Sequence, residues 1–135
     1  MTEQERQIYV KYRIACAYTT FKAARVADSG FWDSSVNRLY YALFYAVSAL
    51  LVQNHIQTKS HSSVRSQFSL LFVKTGKFEK KYGRLLSELF DWRQKGDYDN
   101  IFSYNGEVVE PLFEPVEEMI SAIEDEIKAR NDDKM

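Results

Sequence analysis

The chain has 135 residues, of which 45% are hydrophobic and 15% aromatic, and its 18 basic and 19 acidic residues give a formal net charge of -1. This length fits one domain without a second core, and the apolar content argues against a disordered chain. The nearly neutral charge excludes a domain that binds nucleic acid through a globally basic surface, so any contact with RNA would need a local patch.

The first predicted element is a helix over residues 4–28. Apolar residues recur in it at spacings of three and four, which places them on one face: Val10, Ile14, Ala17, Phe21 and Ala24. Ser29-Gly30 is expected to end the helix, since glycine readily adopts the left-handed conformation found there. Cys16, the only cysteine, excludes an intrachain disulfide and is predicted to be a buried, inert thiol of a cytoplasmic protein.

The second helix is predicted from near Trp32 or Asp33 to about Asn54. Between Leu39 and Val52 only Ser48 is not apolar, so this helix is expected to be covered on nearly all sides. A membrane-spanning helix needs about 20 apolar residues, more than this stretch supplies. The sequence therefore predicts a central core helix, and we expect no membrane segment and no signal peptide.

Two more helices are predicted over residues 60–75, with Ser60 as the N-cap, and over residues 79–95. Gly76 and Gly96 are expected to end them. The side chains predicted to face inward are Val64, Phe68, Leu71 and Phe72 in the third helix, and Tyr82, Leu86 and Leu89 in the fourth.

The segment 97–106 has no helical period and is predicted to be the one extended loop. A final helix is expected over residues 107–130, followed by a frayed tail at 131–135. Pro111 fits the first turn of this helix, whereas Pro115 should kink it or mark its true start. The predicted fold is therefore all-α: one domain over residues 1–135, with its core at about 5–130, built as a five-helix up-and-down bundle. Its many aromatic residues suggest a further buried surface, most simply a homodimer interface.

Four segments resemble, in the same order, blocks of the prokaryotic HEPN domain: 37–45, 58–62, 72–76 and 93–99. The resemblance covers about residues 10–130. It implies a five-helix, usually dimeric domain, often encoded beside a minimal nucleotidyltransferase in toxin–antitoxin or defence systems. Some relatives are metal-independent ribonucleases, with an arginine at the end of the fourth helix followed after four to six residues by a histidine.

Arg93 occupies the position of that arginine. It shares one helical face with Leu86 and Leu89, so its guanidinium is expected at the end of an apolar stripe, where it could bind a phosphate bidentately. Alternatively, it complements the helix C-terminus or pairs with Asp97 or Asp99.

The signature histidine is absent, because no histidine follows His61. Tyr98 stands at the expected position, but a phenol with a pKa near 10 is a poor base. Asp97 or Asp99 could act only as a weak base. His61 could meet Arg93 in space and supply acid–base chemistry; the favoured interpretation is that it forms a hydrogen bond at a helix terminus.

Further candidates for binding a ligand or a phosphate are Asn37, Arg38, Tyr41, Asp97 and Asp99. For the first three, a structural role between helices is equally compatible. A basic cluster of Lys77, Lys80, Lys81 and Arg84 is interpreted as a solvated face. No metal motif and no cofactor motif is present.

Two functions remain open at this point. The first is a homodimeric binding module for RNA, a nucleotide or a partner nucleotidyltransferase, in a toxin–antitoxin or defence system. The alternative is a metal-independent RNA endonuclease that uses Arg93 with Tyr98 or His61. The missing histidine favours the binding module.

Overall fold

The computed structural model describes residues 1–26, 32–98 and 105–133, with the backbone alone at 26, 95–98 and 133. In these residues the chain forms five long or medium helices and one single-turn helix, and no strand, which confirms the predicted all-α fold. They are α1 (Glu3–Val26), α2 (Trp32–Gln53), α3 (His61–Phe68), α4 (Lys80–Tyr98), α5 (Gly106–Val109) and α6 (Phe113–Asp133).

Helix α2 is the centre of the bundle and contacts α1, α3, α4, α5 and α6. By length and composition alone it could cross a membrane, yet 61% of its most apolar window is buried inside the protein. Its leucines at 39, 43 and 50 have no exposed surface. Because the other helices cover it, α2 is the central core helix of the bundle, as the sequence predicts.

Helix α1 packs on α2 through the predicted stripe, and all five of its apolar residues are buried. The hydroxyl of Ser35 donates to the carbonyl of Ala24 at 3.1 Å and ties the two helices together. The predicted helix end near Asp28 and Ser29-Gly30 lies outside the described residues. Cys16 is only half-buried, so the prediction of a buried thiol was wrong.

The third helix begins as predicted, with the Ser60 hydroxyl accepting from the backbone amide of Ser63 at 3.1 Å. It continues as a π-helical turn, Ser69–Val73, and the chain reverses at Gly76, whose φ is +83°. A π turn holds an additional residue compared with an α turn, and this changes the direction of the side chains that follow. Leu71 is therefore 37% exposed, contrary to prediction, while Phe72 stays buried.

Helix α4 continues through Gly96 to Tyr98, so the predicted end at Gly96 was wrong. A glycine inside a helix costs only about 1 kcal/mol relative to alanine, which neighbouring interactions can offset. The predicted loop over 97–106 is correspondingly shorter, and its residues 99–104 lie outside the described part of the chain.

The predicted final helix is divided into α5, a 3-10 turn at Glu110–Leu112, and α6. Pro111 lies in the 3-10 turn, and Pro115 lies in the first turn of α6, which confirms that it marks the true start of the last helix. The helix extends to Asp133, so the prediction of a frayed tail was wrong for residues 131–133.

Gly106 packs against the ring of Trp32 at the start of α2. A Cβ atom at this position would lie 2.9 Å from the ring carbon Cζ2, closer than real contacts allow. The absence of a side chain therefore lets α5 approach the Trp32 ring of α2.

Candidate functional site

The candidate site lies where the N-terminal half of α2, the start of α3 and the end of α4 meet. Tyr40, Tyr41 and Phe44 lie within one turn of α2, so their rings are neighbours. His61 is the first residue of α3, where the Ser60 cap fixes the backbone. Arg93 lies one turn beyond Leu89, whose side chain is completely buried. We call these five residues the Arg93 cluster: Tyr40, Tyr41, Phe44, His61 and Arg93.

The guanidinium of Arg93 lies over two tyrosine rings. Its Cζ atom is 5.3 Å from the ring centroid of Tyr40 and 5.2 Å from that of Tyr41. Contacts of this kind are attractive because the face of an aromatic ring is negative. Arg93 is half-buried, so the cation is held in a defined position while part of its side chain remains accessible.

His61 joins α3 to the same aromatic group. Its Nδ1 atom forms a 2.7 Å hydrogen bond with the Tyr40 hydroxyl, and its ring stacks on Phe44 at a centroid distance of 4.4 Å. Burial lowers the pKa of His61, and the positive charge of Arg93 lowers it further. The two alternatives from the sequence are thus compatible, since His61 forms a hydrogen bond at a helix start and also lies beside Arg93.

The Tyr40 hydroxyl is protonated at neutral pH. Burial raises the pKa of Tyr40 to about 12, although the charge of Arg93 opposes this rise. Its hydrogen bond with His61 has two forms, which differ in the imidazole tautomer. If Tyr40 donates, the imidazole proton is on Nε2; if Nδ1 donates, Nε2 is left as an acceptor.

A second guanidinium borders the site. The Cζ atom of Arg65 lies 4.4 Å from the ring centroid of Phe90, and Phe90 contacts Tyr40 edge-on at 5.9 Å. Arg65 is also 3.7 Å from a carboxylate oxygen of Asp91. Three residues at the site were not predicted from the sequence: Arg65, Tyr40 and Phe44. The run of aromatic residues one turn apart on α2 could have indicated Tyr40 and Phe44, but these residues were interpreted only as part of the hydrophobic core.

The other predicted residues have different surroundings. Tyr41 contacts Arg93, as described, whereas Arg38 is exposed and its Nε donates to the Ser34 hydroxyl at 3.3 Å. Asn37 is half-buried one turn before Tyr41. The side chains of Asp97 and Tyr98, and all of Asp99, lie outside the described residues, so their proposed roles remain predictions.

The predicted basic cluster is partly neutralised by carboxylates of α6. Lys81 bonds Glu118 at 2.7 Å, and Lys77 lies 3.8 Å from Glu126. This pairing favours the interpretation of a solvated face. Within residues 1–26, 32–98 and 105–133, no group of three or more potential metal-binding side chains is found.

The lowered pKa of His61 predicts a pH dependence of stability. The unfolded chain, with an ordinary histidine pKa near 6.5, takes up a proton before the folded protein does. The contribution of His61 to the free energy of unfolding should therefore be constant above about pH 7. It should fall as the pH drops below 6.5. Urea denaturation between pH 8 and about pH 5 measures this loss. His61→Gln should reduce this loss of stability, and an unchanged dependence on pH in His61→Gln would contradict the assignment.

Comparison with known proteins gives a consistent result. Residues 10–126 match the family described as the HEPN domain. The UPF0332 protein of Thermotoga maritima is 42% identical over 91 residues, which are 67% of this chain and 69% of that protein. Two proteins of Methanocaldococcus jannaschii, each named "Putative toxin", are 36% and 34% identical over 63% of this chain. The matches span 58% and 64% of those two proteins, somewhat less than two thirds of their length.

Proposed function

The chain belongs to the HEPN domain family, and from this premise we propose that it is a toxin-like domain that binds RNA at the Arg93 cluster. The names of two relatives refer to toxins, which supports the toxin-like part of the proposal. The chemistry of the cluster supports the RNA-binding part.

The observation that carries the proposal is the placement of Arg93 over Tyr40 and Tyr41. The two rings hold the guanidinium in a defined position, and a planar guanidinium is the group that binds a phosphate bidentately. Tyr41 and Phe44 are half-buried, so their rings also offer apolar surface beside that phosphate. A fixed cation next to aromatic faces is the chemistry with which proteins bind unpaired nucleotides.

Binding is favoured over cleavage because the acid–base groups are limited. Cleavage at a 2′-hydroxyl requires a base for this hydroxyl and an acid for the leaving oxygen. In His61 one ring nitrogen is already bonded to Tyr40, and a tyrosine with a pKa of about 12 is a poor base. The Arg93 cluster of one chain therefore offers one imidazole nitrogen, that of His61, for two proton transfers.

One observation favours a second candidate, a metal-independent ribonuclease. His61 is held neutral beside Arg93, and in the tautomer whose Nδ1 donates to Tyr40 its Nε2 could accept a proton. Arg93 would then stabilise the charge that develops on the phosphate. Tyr98 remains the predicted acid in this candidate.

We expect Arg93→Ala to weaken binding of a labelled single-stranded RNA about tenfold, which corresponds to about 1.4 kcal/mol. The matched control is Arg84→Ala, because Arg84 is an exposed arginine of the same helix, half a helical rotation away. Fluorescence anisotropy measures both affinities, and the control should remain close to the wild type. Equal affinity of the Arg93→Ala variant and the wild type would contradict the proposed function.

The same reactions, resolved on a denaturing gel, separate the two candidates. Intact RNA after prolonged incubation supports the binding module. Cleavage by the wild type that disappears in both Arg93→Ala and His61→Ala would contradict the binding module and support the ribonuclease.

The proposed setting is a cytoplasmic toxin–antitoxin or defence system. In it, two copies of the chain would form a homodimer, and a nucleotidyltransferase would be the partner protein. Light scattering of the purified chain tests the homodimer, and co-purification with a nucleotidyltransferase encoded beside it tests the partner.

A further inference from the structure

A second arginine, on α1, is held in the same manner as Arg93. The Cζ atom of Arg13 lies 5.2 Å from the ring centroid of Tyr9 and 5.1 Å from that of Tyr45 on α2. Its Nε donates to the Tyr9 hydroxyl at 2.9 Å. Two tyrosine rings thus position this guanidinium, as two tyrosine rings position Arg93.

The two arginines are connected by a continuous row of rings. Tyr45 contacts Tyr41 at a centroid distance of 6.1 Å, and Tyr41 lies beneath Arg93. All five members of the row are half-buried, so each keeps some accessible surface. We call this row, which crosses α1, α2 and α4, the arginine–tyrosine track: Tyr9, Arg13, Tyr45, Tyr41 and Arg93.

The charge of Arg13 is not neutralised by a carboxylate in the described part of the chain. Its neighbours in α1 differ in this respect: Arg6 lies 3.7 Å from Glu3, and Arg25 lies 3.1 Å from Glu110. An arginine that is stacked but has no carboxylate partner retains its full attraction for an anion. Such an arrangement is more suited to binding a ligand than to stabilising the fold through an ion pair.

We propose that the arginine–tyrosine track is an extended binding surface for single-stranded RNA, in which Arg13 provides a second phosphate anchor. This inference rests on the proposed function and adds to it the ligand class: an oligonucleotide that reaches from Arg93 to Arg13, not a mononucleotide. Arg13, Tyr9 and Tyr45 thereby become binding residues.

The alternation of cations and rings selects an unpaired strand. In a duplex the faces of the bases are stacked on one another and cannot reach Tyr41 or Tyr45. In a single strand each base offers a face to an aromatic ring, while the phosphates between them contact the guanidinium groups. Base–aromatic stacking tolerates different sequences, so the track should bind without strong sequence preference.

The test compares oligonucleotide length with the Arg13→Ala substitution. For a single-stranded RNA longer than a few nucleotides, Arg13→Ala should weaken binding about fivefold and reduce the slope of log affinity against log salt by about 0.7, the value for one lost phosphate contact. Binding of a mononucleotide, measured by competition, should not change. Lys11→Ala is the matched control, since Lys11 is an exposed cation on another face of α1. Arg13→Lys, which keeps the charge but not the planar stacking group, should lie between the wild type and Arg13→Ala.

The outcomes separate this inference from the proposed function. An unchanged affinity and salt slope in Arg13→Ala, together with loss of binding in Arg93→Ala, would overturn the track and leave the Arg93 cluster intact. Unchanged binding in both variants would overturn both proposals. A change in molar mass of Arg13→Ala by light scattering, without any change in RNA affinity, would assign this surface to a second copy of the chain and would also overturn the track.

Discussion

Replacing Leu43 with alanine is expected to lower the free energy of unfolding by about 3 kcal/mol, the largest single effect on stability that we predict. Leu43 has no exposed surface and lies in α2, which contacts every other helix described. Removing its isobutyl group loses apolar burial and leaves a cavity that helices on several sides cannot fill together. For a domain of this size the melting temperature should fall by roughly 10 °C.

The matched control makes the same chemical change at an exposed site. Leu70 in the π-helical turn is 51% exposed, so Leu70→Ala should change the free energy of unfolding by no more than about 0.5 kcal/mol. Urea denaturation followed by circular dichroism measures both variants. Similar losses at the two positions would show that α2 is not the core of the bundle.

Tyr40→Phe is expected to lower the free energy of unfolding by about 2 kcal/mol, because it leaves a polar atom of His61 without its partner. The substitution removes only the hydroxyl that bonds Nδ1 of His61 at 2.7 Å. The phenyl ring remains in place to contact Arg93 and Phe90. The effect should therefore be larger than that of an ordinary loss of a surface hydroxyl.

The comparison variant for this prediction is Tyr12→Phe. Tyr12 is 63% exposed, so water can replace any hydrogen bond that its hydroxyl makes, and the free energy of unfolding should change by less than about 0.5 kcal/mol. Thermal denaturation of the two variants at pH 7.5, where His61 is neutral, provides the measurement. A Tyr40→Phe protein as stable as the wild type would mean that its hydroxyl does not hold His61.

Much of the fold could be predicted because the apolar pattern is strong and local. The run from Leu39 to Val52 identifies the central helix, and the Ser60 cap identifies the start of α3. The errors arose where tertiary packing outweighs local preference. Gly96 is a common helix end but is tolerated inside α4, and nothing in residues 69–73 signals a π turn, which turns Leu71 outward.

The candidate site could be predicted only in part, for a related reason. Arg93 was identified mainly from the resemblance to the HEPN domain, and His61 from the acid–base chemistry of its side chain; the structure brings both to Tyr40. The run of aromatics on α2 could have drawn attention to Tyr40, but its hydrogen bond with His61 could not be predicted, because an aromatic residue in an apolar run is expected in the core. Its hydroxyl acquires a partner only when the start of α3 is packed against α2, which no short sequence pattern encodes.

The central position of α2 has a consequence for how the domain unfolds. Helices α1, α3, α4, α5 and α6 all contact it, so a fragment without α2 has no core on which to fold, and partial opening of the bundle would expose one of its faces. The domain should therefore unfold as one cooperative unit. Since Tyr40 and Tyr41 belong to α2, the binding surface and the hydrophobic core would be lost in the same transition. A single protease cut within α2 would thus remove the core and the binding surface together.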